Sequence, residues 1–221
     1  MKTKIQHLFL TLLFIGIFAC ENQNQDWAGI NSMEVSIAHA DSLRKYFPDA
    51  SYIEWELESG YYVANFRADG FEKSAWFDHA AEWKMTETET PFKLIPEVIQ
   101  DVIGENYSHR KVEIEEIERP LFVDAYFLDE ENKEILALKT GLIVDETLND
   151  SLIEILPVNL PNGVLDVLGD SIPDFRLGNV KFTNNVWKII LLNSDNIPFS
   201  VIIDQKFKML ENNILTSQKE K

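Results

Sequence analysis

Apolar side chains recur along this chain with two different periods. Val35, Ala38, Leu43 and Tyr46 fall at helical spacing, and Pro48 stops the helix that they predict over Val35 to Tyr46. Ile53, Trp55 and Leu57 then alternate with polar neighbours, which predicts a strand ending at Ser59-Gly60. Tyr61 to Phe66 reads as a second strand, Asp69-Gly70 as a tight turn and Lys73 to Asp78 as a third strand. Trp83-Lys84-Met85 adds a short fourth.

The same order returns twice. A helix over Glu97 to Ile103 precedes a strand carrying Val112, Ile114 and Ile117, then strands over Leu121 to Leu128 and Glu134 to Leu138. A third helix near Pro161 to Leu168 precedes strands over Leu177 to Phe182, Val186 to Leu192 and Phe199 to Asp204. The segments Ile95 to Gly104 and Leu160 to Gly169 share Pro, Asp, Val and Gly at the same four places, with Pro opening the helix and Gly closing it. The pattern predicts an α+β fold: repeated helix–β-hairpin units forming a curved antiparallel sheet, with helices on one face and the other face open. The expected units are residues 35–90, 91–150 and a diverged 151–213, with 214–221 as a tail.

Residues 1–20 carry Lys2 and Lys4, then an apolar stretch from Leu8 to Phe18, then Ala19-Cys20. This is the order of an export signal, and a small residue directly before Cys suits lipoprotein processing with acylation of Cys20. Residues 21–34 are polar and rich in Asn and Gln, a tether between anchor and body. Cys20 is the only cysteine, so disulfides and thiol chemistry are excluded from the processed chain. The formal charge is −17, and removing residues 1–20 makes it more negative by two. Such a field repels nucleic acid and anionic headgroups, so membrane attachment is expected through lipid alone and nucleic acid is not an expected partner.

Tyr46-Phe47-Pro48, Trp55-Glu56, the Tyr61-Tyr62 strand, Phe77-Asp78 and Trp83 with Thr86-Glu87 form a pattern that resembles the PepSY-like, β-lactamase-inhibitor-like domains of bacterial exported proteins. The match is best over Ser36 to Glu87, and Ala80-Ala81 stands where the pattern has Gly after Phe-Asp. The resemblance implies a curved antiparallel sheet backed by helices, no catalytic centre, and binding of another protein.

The chain offers little chemistry of its own. His39, His79 and His109 lie in no zinc-binding spacing, and no glycine-rich phosphate loop is present, so neither metal nor cofactor is expected. Ser74, Asp78 and His79 do not make a triad, because strand neighbours point to opposite faces. The acids Glu113, Glu115, Glu116 and Glu118 sit on alternating strand positions, where they are expected to face water. Three Asp-Ser-apolar triplets, at Asp41, Asp150 and Asp170, resemble O-glycan acceptors. Alternation puts Phe77 in the helix-backed core and Trp76 on the open face, and Trp55, Tyr62 and Trp76 are the expected partner-binding residues.

These readings converge on a non-catalytic, inhibitor-like binding module of the cell envelope, lipid-anchored, whose partner is another envelope or secreted protein. The alternative is a periplasmic carrier or sensor for a small ligand or a cation. Metabolic labelling with a fatty-acid probe should mark the wild type and leave Cys20→Ser unmarked, since attachment rests on acyl chains buried at about 0.8 kcal/mol per CH₂. A wild type without label would return residues 1–20 to an ordinary secretory signal.

Overall fold

A computed structural model describes residues 35–107, 111–130, 133–148, 153, 155–157 and 159–215. The leader, Cys20, the tether, His109 and the triplet at Asp150 lie outside the described residues. The element order is α1 (Ile37–Tyr46), β1 (Ser51–Glu58), β2 (Tyr61–Ala68), β3 (Phe71–Phe77), β4 (Trp83–Glu89), α2 (Glu97–Asn106), β5 (Glu113–Glu118), β6 (Ala125–Glu130), β7 (Lys133–Leu138) and β8 (Ile143–Leu148). It continues through α3 (Asn162–Ser171), β9 (Arg176–Thr183), β10 (Val186–Leu192), β11 (Pro198–Asp204) and β12 (Met209–Ile214). Each helix is thus followed by four antiparallel strands.

The strands form two sheets rather than the single sheet expected. β1 to β8 run in sequence order as one eight-stranded sheet, and β9 to β12 make a second sheet of four. The two are stitched where Phe122 forms a parallel bridge to Leu177, with Val123 N–H donating to the Leu177 carbonyl at 2.7 Å and Leu177 N–H to that of Leu121 at 2.9 Å. This stitch takes residues 121–124 out of β6, which starts at Ala125 rather than Leu121.

β8 and β12 have no counterpart in the sequence reading. Both are sheet edges, with one side of the backbone unpaired and few side chains buried, so neither needs apolar alternation.

The helix ends show what the shared Pro and Gly do. Pro96 and Pro161 are N-caps with nearly equal backbone angles, φ −56 and ψ 145 against φ −59 and ψ 141. Gly104 and Gly169 do not close their helices, which run on to Asn106 and Ser171. Closure comes at Tyr107 (φ −119) and Ile172 (φ −138), where no left-handed residue is needed.

Glycine is required elsewhere, in the β7–β8 turn. There Leu138 N–H bonds to Leu142 O at 2.8 Å, Gly141 N–H bonds to Leu138 O at 2.7 Å, and Gly141 has φ 84. The β3–β4 turn has the same bonds, Asp78 N–H to Glu82 O at 3.1 Å and Ala81 N–H to Asp78 O at 2.9 Å, with Ala81 forced to φ 61. Asp78 holds it in place, its Oδ1 accepting from the N–H groups of Ala80 and Glu82 at 2.9 Å each. The geometry of the turn is therefore kept without the glycine, at the steric cost of a left-handed Ala.

Alternation sorts the eight-stranded sheet into two faces. Leu43 of α1 packs with Ile53, Ala64, Phe66, Ala75 and Phe77, while Ile99, Val102 and Ile103 of α2 pack with Ile114, Tyr126, Leu128, Ile135 and Ala137. The intervening residues Val63, Trp76, Met85, Ile117, Ala125, Leu136 and Leu138 form a second core on the opposite side. Ile153, Ile155 and Leu192 of β10 close over it.

That face is therefore not open as expected. Trp76 does point away from the α1 core, but it is only 4% exposed.

Gly104 and Gly169 are exposed, keep helical angles, and a Cβ there would meet nothing within 4 Å. Gly104→Ala and Gly169→Ala should each stabilise the fold by about 0.5–1 kcal/mol, by restricting the unfolded chain and raising helix propensity. Chemical denaturation reads this directly, and destabilisation by either would contradict the helical placement.

Candidate binding face of the eight-stranded sheet

The part of the second face that Ile153 and Ile155 leave uncovered is acidic. One cross-strand row runs Glu54, Asn65, Ser74, Glu87, Ile117, Ala125, each paired with the next across the sheet. A neighbouring row runs Glu56, Val63, Trp76, Met85. Polar residues therefore crowd β1 to β4 and apolar ones β5 to β7, on one continuous surface.

Two clefts lie on the polar part. One, of about 430 Å³, is bordered by Glu54, Arg67, Glu72, Glu87, Glu89 and Glu115, and the other, of about 630 Å³, by Glu56, Glu58, Trp76, Glu87, Ile153 and Ile155. They share Asn65, Ser74 and Glu87. Ser74 Oγ donates to Asn65 Oδ1 at 2.6 Å, and Asn65 Nδ2 donates to Glu56 Oε1 at 2.6 Å. Arg67 is engaged by Glu72 at 2.5 Å.

Glu87 makes no ion pair among the described residues. Burial first, then Glu115 and Glu58, push its carboxyl up to about 8. Glu115 is raised as well, by burial and then by Glu113, Asp129 and Glu89. Trp76 borders the larger cleft, and its Nε1 is buried without a hydrogen-bond partner among the described residues. The clefts thus combine the raised carboxyl of Glu87 with a rim of further glutamates. Acidic side chains outnumber basic ones around both clefts, with Arg67 and Lys73 bordering the smaller one. Among the described residues no group of three or more His, Cys, Asp or Glu is placed to hold a metal ion.

The three aromatics singled out by sequence do not come together. Trp55 and Tyr62 lie on the α1 side, with Trp55 5.7 Å from the Phe77 ring and Tyr62 4.1 Å from His39. Only Trp76 is on the acidic side.

His39, 4% exposed, was not distinguished in the sequence. Its Nε2 donates to the Asp78 carbonyl at 2.9 Å, which leaves Nδ1 to accept from Ser36 Oγ at 2.7 Å. Ser36 caps α1, so the pair ties the helix to the β3–β4 turn rather than facing either cleft. The acidic face had a signal that went unused: glutamate at every second position in Glu54-Trp55-Glu56-Leu57-Glu58, again at Glu87 and Glu89, and at Glu113 and Glu115.

Folding raises the Glu87 pKa from an ordinary 4.5 to about 8, so its contribution to stability is full below 4.5 and is lost as pH rises through 8. Glu87→Gln should leave stability nearly unchanged at pH 4 and become progressively stabilising towards pH 9, with a slope of at most about 1.4 kcal/mol per pH unit. Parallel melting curves for the two proteins across this range would contradict the burial assigned to Glu87.

Comparison with known proteins gives a likeness over part of the chain. Residues 60–144 match the family model described as "Putative beta-lactamase-inhibitor-like, PepSY-like". Among solved structures the chain is similar to a BLIP-like protein from Bacteroides fragilis NCTC 9343, with 27% identity, 58% of this chain and 97% of that one covered, and a TM-score of 0.49. A DUF2874 family protein from Bacteroides uniformis ATCC 8492 shares 25% identity, over 52% of this chain and 90% of that one, with a TM-score of 0.47. A structure titled as putative periplasmic proteins, from Bacteroides eggerthii DSM 20697, shares 23% identity over the same fractions, with a TM-score of 0.47. No curated protein matches the chain. The matched stretch, residues 60–144, runs from β2 into β8 and contains Phe77-Asp78 and the Asp78 turn.

Proposed function

We propose that this protein is a non-catalytic binding module of the cell envelope that captures a basic surface of another protein on the acidic face of its eight-stranded sheet. The observation that carries this reading is the pair of adjoining clefts sharing Glu87, rimmed by Glu54, Glu56, Glu58, Glu89 and Glu115. A lysine or arginine entering between Glu58 and Glu87 would replace like-charge repulsion by an ion pair and draw the proton off Glu87. In this role Trp76 borders the larger cleft, and Trp55 and Tyr62 support the sheet from behind.

The family description, inhibitor-like, agrees with a module that binds and does not react. Anchoring through acylated Cys20 would hold the acidic body at the membrane surface without electrostatic help. The helix-plus-four-strand units are read as copies of one unit. Equivalent capping prolines at Pro96 and Pro161 support this, as do matching turns at Asp78–Glu82, Leu138–Leu142 and Asp204–Lys208.

Capture from envelope extracts should recover partners with wild-type protein at low salt, and lose them at high salt or with the triple variant Glu56→Gln/Glu58→Gln/Glu87→Gln. Affinity for such a partner should rise with pH through about 8, where Glu87 ionises. Identical partner lists from wild type and triple variant would remove the acidic face from consideration.

A further inference from the structure

A second site lies on the other side of the molecule's charge. Where α1, the β3–β4 turn, the β5–β6 connection and the four-stranded sheet meet, a cavity of about 530 Å³ is bordered by Lys45, Trp83, Lys84, Arg119, Leu160 and Leu165, among others. Its size is within the range of small-molecule sites. In a chain of formal charge −17 the charged residues here are three cations and one acid, Glu82, which is engaged by Lys84 at 2.7 Å. Asp78 also binds Lys84, at 3.1 Å.

Arg119 is the unusual member. It is 6% exposed, and no carboxylate among the described residues pairs with it. Its Nη2 reaches the Gly178 carbonyl at a long 3.4 Å, its Nε is buried without a partner, and its guanidinium stacks 4.0 Å from the centre of the Phe122 ring. Burial lowers its pKa to about 10, still well above neutrality, so the charge persists. A buried charge left unpaired is expensive, and the guanidinium fork matches a carboxylate with two parallel hydrogen bonds.

We propose that this cavity binds a small organic monocarboxylate, its carboxylate on Arg119 and its apolar body against Leu160 and Leu165. A monoanion fits better than phosphate, because the surrounding field of the chain disfavours a second negative charge. The site is independent of the acidic face, which Glu87 marks on the β1–β5 part of the sheet.

Ligand-observed NMR titration of the full-length protein with hexanoate, and with hexanamide as its uncharged twin, tests this. Hexanoate should saturate, hexanamide should bind at least about tenfold more weakly, and Arg119→Met should lose hexanoate by a similar factor, as expected for a charge-assisted pair. Glu87→Gln should bind hexanoate like the wild type. Absence of saturable hexanoate binding, equal affinity for both probes, undiminished binding by Arg119→Met, or loss in Glu87→Gln would each overturn the assignment. The comparison of the two probes on the wild type decides the matter even if Arg119→Met does not fold.

Discussion

A sheet has two faces, and α1 and α2 pack against only one face of the eight-stranded sheet. Everything else in the eight-stranded part follows from how the second face is treated. Over β5 to β7 that face carries Ile117, Ala125, Leu136 and Leu138, which cannot be left to water, and Ile153, Ile155 and Leu192 close over them. The covering elements stop short of β1, and the rows that continue outward change to Glu, Asn and Ser. The same chain crossing that completes the core therefore also defines the border of the acidic clefts, and Trp76 and Glu87 stand on that border.

Position on the border explains their chemistry. Glu87 has enough protein around it to lose hydration and enough acidic neighbours to resist ionisation, so its proton is retained to about pH 8. Glu56 sits nearby and accepts a hydrogen bond from Asn65 Nδ2.

The joint between the two sheets obeys a different constraint. There the chain leaves the sheet at Arg119, turns through Leu121 at φ 66 and pairs Phe122 with Leu177. Carrying the chain across the gap brings a guanidinium into the interior beside an aromatic ring, with no carboxylate among the described residues paired to it.

Much of the fold was legible along the chain. Period-two alternation over Ile53 to Leu57 and Tyr61 to Phe66, turn dipeptides such as Asp69-Gly70, and the shared Pro at Pro96 and Pro161 are local signals, set by backbone geometry within a few residues. Alternation also assigned Phe77 and Trp76 to opposite faces. It could not say whether Trp76 would be wet or dry, because that depends on Ile153 and Leu192, which arrive from far along the sequence. The edge strands β8 and β12 were silent for a related reason: their order comes from backbone hydrogen bonds to a neighbour, and their side chains remain largely in water. The acidic face shows along the chain only as glutamate at every second position, and the Arg119 cavity belongs wholly to the tertiary structure. A charge is defined by its own residue, but its desolvation and its lack of a counter-charge are set by whichever distant segments fold against it.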